Sequence, residues 1–240
     1  YRQAAAEVGD VLADLGYVIT TVEVPVPAGT SWGIDVPAGE SVNVIADPPG
    51  FDPAEPHVIV GAHLDTVPQA PGAEDNASGV ASMLELARVV AADPPSTPVR
   101  FVAFGAEEPR GDGDDRHHFG SQHYVAALSE DNAAAIVAMV SLDRVGARGS
   151  AVPICTGGTG TLAVRDALVA AADRAGVPAA PCADNRSSDH WSFEKADVPS
   201  ARLGSIPYAA YHSADDVPYV VDERQLGWVG ATMLAWLHAL

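Results

Sequence analysis

Three continuous apolar runs constrain this chain most: HVIVGAH (His57 to His63), PVRFVAFGA (Pro98 to Ala106) and AIVAMVSLD (Ala135 to Asp143). A strand covered on both faces reads as such a run, whereas a half-exposed strand alternates. Segments with apolar residues at helical spacing separate and follow them: SGVASMLELARVVAA (Ser78 to Ala92), FGSQHYVAAL from Phe119, and TLAVRDALVAAADRAG (Thr161 to Gly176) with its glycine stop. Buried strands alternating with helices predict an α/β fold: one three-layer α/β/α domain over residues 1–240, with a mixed, mostly parallel central sheet and helices on both faces.

Around this frame, AAAEVGDVLADLGY from Ala4 reads as a helix. VITTVEVPV (Val18 to Val26) and SVNVIAD read as an antiparallel edge pair, joined by a Pro/Gly-rich hairpin connection. AVPICTGG and VPSARLG read as further strands. The tail from Asp222 reads as a last helix, with Asp222 as its N-cap.

In an open α/β sheet, ligands collect beyond the carboxyl ends of the strands. His63 and Asp65 follow the first buried run, Glu107 and Glu108 the second, and Asp143 ends the third. Asp75 joins them if its loop folds back over that edge, and the loop holding Tyr211 and His212 can return a second imidazole. Imidazoles and carboxylates without thiolate suit zinc, and also manganese or cobalt. Five ligands exceed the three that one catalytic zinc takes, and fit two metals about 3.5–4 Å apart with one carboxylate shared. Of the adjacent Glu107 and Glu108, one can bind metal while the other serves as general base.

The segments VGAHLDTV, GAEDNASG, FVAFGAEE, SLDRVG, SSDHWSF and YHSADD, in this order, resemble the M28 family of zinc aminopeptidases. The resemblance implies two Zn²⁺ ions. His63 and Asp143 would hold one, Glu108 and His212 the other, and Asp75 would bridge them. It implies Glu107 as general base, Asp65 orienting His63, and Tyr211 donating to the oxyanion. The implied substrate is a peptide with a free N-terminus. Asn76 and Gly79 would shape the loop.

Arg144 stands beside Asp143 where an apolar residue is more usual. It either selects an acidic substrate group or pairs with a surface acid, and the pairing is the reading taken. Asp189 supports the site or caps a helix. EPRGDGDDRHHFG reads as a disordered surface loop, with calcium binding or covering of the site as the sharper alternatives, and His117, His118 and His123 carry no assigned role.

The competing readings are a glutaminyl-cyclase-like single-zinc enzyme, an M20-type metallohydrolase, and a non-catalytic receptor or binding domain. An M20-type chain would carry a lid-sized insertion and a more distant bridging aspartate. A receptor domain would have lost ligands or the base.

The net charge of −19 argues against nucleic acid and anionic membrane as partners. No apolar run reaches the ~18 residues of a membrane span. A chain opening on Tyr1 reads as processed or trimmed, in keeping with a secreted protein. Cys155 and Cys182 are either two buried thiols or one bridge. Oligomeric state is not legible.

Overall fold

The computed structural model describes residues 1–240. Helix α1 (Arg2–Asp14) leads into β1 (Val18–Val26), a ribbon of β2 (Gly29–Ser31) and β3 (Ile34–Val36), then β4 (Gly39–Asp47) and β5 (His57–His63). A bend over Ala73–Ser78, non-helical at Asp75 and Asn76, leads into α2 (Gly79–Ala92), followed by β6 (Val99–Phe104), α3 (Phe119–Ala126), α4 (Glu130–Ala135) and β7 (Ile136–Asp143). The chain continues through β8 (Val152–Cys155), α5 (Ala163–Arg174), β9 (Ala179–Cys182), α6 (His190–Glu194), β10 (Ser200–Gly204) and α7 (Glu223–Leu237).

Eight strands form one sheet in the order β1-β4-β6-β5-β7-β10-β8-β9. The centre, β6-β5-β7-β10, is parallel throughout, as the three buried runs require. Antiparallel pairing joins β1 to β4 with Val18 opposite Asp47, β4 to β6, and β10 to β8. The expected edge pair is therefore present. Its hairpin connection carries the β2–β3 ribbon, which stands apart as a two-stranded sheet.

Period-two alternation assigns each central residue to a face. Val58, Val60, Ala62, Ala138, Val140 and Leu142 join the larger core, where α1, α2, α5 and α7 contribute Leu12, Met83, Leu168 and Trp236. Ile59, Val102, Phe104 and Met139 point the other way, onto Tyr124 of α3 and Phe193 of α6. Each fully buried apolar side chain of this size contributes about 1.5–3 kcal/mol relative to exposure. His63 and Asp143 have the parity of Ile59 and Met139, so both leave the sheet on the side of the smaller core.

Several short elements, the β2–β3 ribbon, α4, β9 and α6, were not legible. Helix α4 has six residues, too few for a periodic signal, although Ser129 caps it by accepting from the Asn132 N–H. Strand β9 reads APC in its last three residues, and its proline is tolerated because β9 is an edge. Asp222 caps α7 as expected, accepting from the N–H groups of Arg224 and Gln225.

Cys155 and Cys182 lie opposite one another across β8 and β9 and form a disulfide, closing the alternative left open by the sequence. Titration of the unfolded, unreduced protein should find no thiol. Reduction should expose two and lower the unfolding free energy by up to about 3–4 kcal/mol, the loop-closure value for a separation of 27 residues. Two thiols without reductant would contradict the bridge.

Candidate metal centre

The parallel register sets the site. His63 lies beside Phe104, so Glu107 and Glu108 leave the sheet just beyond it, and Asp143 lies beside Gly204 at the end of β10. Gly204 has φ +110°, and a Cβ there would fall 2.1 Å from the Asp143 carbonyl oxygen, so only glycine fits. The chain then returns through 205–213, bringing Tyr211 and His212 back over the edge.

Asp75 arrives by a loop that is bonded at several points. The buried Asp216 carboxylate accepts the N–H groups of Glu74 at 2.8 Å and Asp75 at 3.2 Å. Glu74 in turn accepts from Gly146 and Ala147, just past β7. Asn76 donates to the Leu142 carbonyl and accepts from Gly79 and Arg144. Gly79 is a packing requirement, since a Cβ would meet the Leu142 oxygen at 2.3 Å.

These supports bring all five expected ligands together. Asp75 presents one oxygen to each side: Oδ1 is 3.1 Å from His63 Nε2, and Oδ2 is 2.9 Å from His212 Nε2. His63 Nε2 is also 3.7 Å from Asp143 Oδ1, and His212 Nε2 is 3.4 Å from Glu108 Oε1. Ligand atoms of Asp75, Glu108 and His212 lie within 4.8 Å of one another, as do those of His63, Asp143 and Glu107. His63 Nδ1 donates to the Asp65 carbonyl at 3.1 Å, which turns Nε2 towards the cluster.

Asp65 acts differently from expectation. Its carboxylate is 3.8 Å from His63 Nδ1, beyond hydrogen-bond reach, and instead accepts the N–H groups of Glu107 and Glu108 at 2.9 and 3.1 Å. It orients His63 only through its own carbonyl oxygen. Asp189 sits at the N-terminus of α6 but makes no capping bond, and its sealed carboxyl is pushed well up by burial and by Glu107. Arg144 does not pair with a surface acid. It packs over the Tyr211 ring at 4.4 Å, 3.7 Å from Asp143 Oδ1.

The segment 109–118 is bonded to its surroundings. Arg116 donates to the carbonyls of Ala28 and Arg110, and Asp114 accepts from the Trp191 indole. Asp112, Asp114 and Asp115 do not gather into a three-ligand group of the kind calcium would need.

Sequence reasoning gave no role to Arg202, His118, Asp216 or Glu74. Arg202 is fully buried, with its guanidinium 3.0 Å from Asp143 Oδ1. His118 Nε2 lies 3.0 Å from Glu107 Oε1, and burial pushes His118 down to about 3, so it stays neutral and can donate to that oxygen. A lone Arg in a short strand and a His in an acidic loop carry no periodic signal. Asp216 was quoted only as the end of YHSADD.

The electrostatics fit a cation. Burial pushes Glu107 and Glu108 up to about 8, and neighbouring carboxylates add to the rise. Burial pulls His212 down, but its bonds to Asp75 and Glu108 outweigh this and hold it at about 9. Burial raises Asp143 as well, yet Arg202 and His63 keep it well below the carboxylate range. Without metal, the carboxylates share protons with the imidazoles. Glu108 Oε1 and Asp143 Oδ1 are sealed from solvent and have only ion-pair contacts, to His212 at 3.4 Å and to Arg202 at 3.0 Å, which leaves acceptor capacity that a coordinating cation would use.

A profile of peptidase family M28 matches residues 43–237. The aminopeptidase YwaD of Bacillus subtilis is 37% identical over 190 residues, 75% of this chain and 40% of its own length. The chain thus spans about two fifths of that relative. Among solved structures, BSAP, a zinc aminopeptidase from Bacillus subtilis, superposes with a TM-score of 0.82 at 18% identity, covering 99% of this chain and 88% of that one. Porphyromonas gingivalis glutaminyl cyclase superposes with a TM-score of 0.84 at 21% identity, covering 99% and 89%. At these identities the two structures establish the α/β fold alone.

Two outcomes follow from the geometry. A zinc ion held by His212 and Glu108 would displace the protons they carry, so its binding at pH 7 should release protons and tighten as pH rises towards about 9. Calorimetry in buffers of different ionisation heat reads this directly, and zero release would contradict it. Asp216→Asn should weaken zinc binding about 10–100-fold by loosening Asp75, as measured by competition with a chromophoric chelator.

Proposed function

The chain belongs to peptidase family M28, and from that premise we propose that it is a di-zinc exopeptidase that removes the N-terminal residue of peptides. The single observation that carries the two-metal reading is the Asp75 carboxylate, which turns one oxygen to His63 and the other to His212. His63, Asp143 and Asp75 would hold one ion, and Glu108, His212 and Asp75 the other. Bound zinc supplies Lewis-acid polarisation of the scissile carbonyl and lowers the pKa of the attacking water.

The side chains do the rest. Glu107 takes the proton from the attacking water and returns it to the leaving amine. Its position is held at two points, by Asp65 accepting its N–H and by His118 against Oε1. Bringing cations into the cluster returns Glu107 to the ionised form a base requires. Tyr211 is kept protonated, since burial pushes its phenol up, so it remains a donor for the oxyanion. The substrate's free amine meets a pocket walled by carboxylates. The Cys155–Cys182 bridge supports a location outside the reducing cytoplasm.

The glutaminyl-cyclase reading keeps one observation in its favour. Arg202 and Arg144 both crowd Asp143, which weakens the attraction of that half of the site for a second ion.

The purified protein should bind about two zinc equivalents and release amino acids from aminoacyl p-nitroanilides, an activity lost to a chelator and restored by zinc. Glu107→Gln should keep both equivalents while kcat falls about 10²–10⁴-fold. One equivalent with cyclisation of glutaminyl peptides would favour the cyclase, and near-normal turnover in Glu107→Gln would remove Glu107 as base.

A further inference from the structure

Resting on the exopeptidase reading, we infer that Arg144 is a specificity residue whose guanidinium receives a carboxylate of the substrate. Its placement is not incidental. The backbone is held on both sides, the N–H by Asn76 Oδ1 at 3.1 Å and the carbonyl by the Ser205 N–H at 3.1 Å. Its φ of +54° is a conformation side-chain-bearing residues rarely adopt, and here it directs the chain immediately after Asp143.

The side chain lies over the Tyr211 ring at 4.4 Å, and Tyr211 itself stacks on His212 with centroids 3.7 Å apart. Arg144 is therefore two stacked layers from a metal-ligand imidazole, and next to the phenol assigned to the oxyanion. A side chain of the first residue, or the end of a dipeptide, reaches that distance from the scissile bond.

Asp143 does not consume Arg144. Arg202 already covers Asp143 Oδ1 at 3.0 Å from a fully buried position, whereas Arg144 Nε stays 3.7 Å away, outside hydrogen-bond range. Of the Arg144 side-chain donors, only Nη2 has a protein partner, Ser205 Oγ at 2.9 Å. Nε and Nη1 have none and are not sealed from solvent. A guanidinium fork with open donors is matched to a carboxylate.

The overall charge of −19 opposes an acidic substrate at long range. Charges beyond the ~8 Å screening length at physiological salt count little against a direct contact. The rim also offers an apolar wall. Trp32, at the tip of the β2–β3 ribbon, is 55% exposed and sits edge-on to His212 at 4.5 Å and to Tyr211 at 5.8 Å.

The carboxylate has two possible sources, and paired substrates separate them. The zinc-loaded protein is assayed on glutamyl against glutaminyl p-nitroanilide for a side-chain carboxylate, and on alanyl-alanine against alanyl-alanine amide for a terminal one. The charged member of one pair should be preferred about 10–100-fold in kcat/KM, the range expected of a charge-assisted contact. Arg144→Met should bring the ratio to within about twofold of unity, and Arg144→Lys should retain part of it.

Calorimetric binding of glutamate against glutamine, and of alanyl-alanine against its amide, reads the same preference without turnover. Peptide hydrolysis with no charged preference in either pair, or a preference surviving Arg144→Met, overturns the inference and spares the exopeptidase reading. A binding preference without hydrolysis does the reverse.

Discussion

Asp75, Glu107, Glu108 and Asp143 are all buried within one patch at the end of the sheet's parallel centre, and four buried carboxylates cannot all ionise without added positive charge. The surrounding structure answers that constraint in layers. Arg202 lies fully buried against Asp143, and Asp216 and Asp65 accept backbone N–H groups that fix Asp75 and the Glu107–Glu108 pair. The remaining imbalance is met by protonated imidazoles when no metal is bound. It also suits the patch to receive cations, two of them under the proposed reading. Removing one partner from such a network leaves an uncompensated buried charge, which is why its supports extend well beyond the ligands.

The sheet explains how residues from His63 to His212 converge. Hydrophobic runs announce β5, β6 and β7, and their length and continuity require burial on both faces. Once these strands are parallel neighbours, His63, Glu107, Glu108 and Asp143 fall on one edge without further information. Asp75 and His212 are different, because their loops reach that edge by hydrogen bonds from Asp216, Glu74 and Asn76. Motif resemblance pointed to them, whereas hydrophobic patterning alone could not.

What stayed illegible has a common physical origin. Arg202 is a buried cation in a five-residue strand, and only the three-dimensional neighbourhood of Asp143 explains it. Asp65 was expected to hold His63 with its carboxylate, yet the carboxylate turned to backbone donors that no spacing rule reveals. The segment 109–118 read as unstructured because it is acidic and glycine-rich. It is held instead by Arg116 to the base of the β2–β3 ribbon, so the two segments brace each other. Arg144 and Trp32 belong to that rim, beside Tyr211 and His212.

The central claim is that Asp75 bridges two metal ions. Crystals of the zinc-loaded protein, measured on both sides of the zinc absorption edge, test it most directly. The account predicts two anomalous peaks about 3.5–4 Å apart, with the Asp75 carboxylate between them and His63 and His212 on opposite sides. A single peak, or peaks away from Asp75, would contradict it.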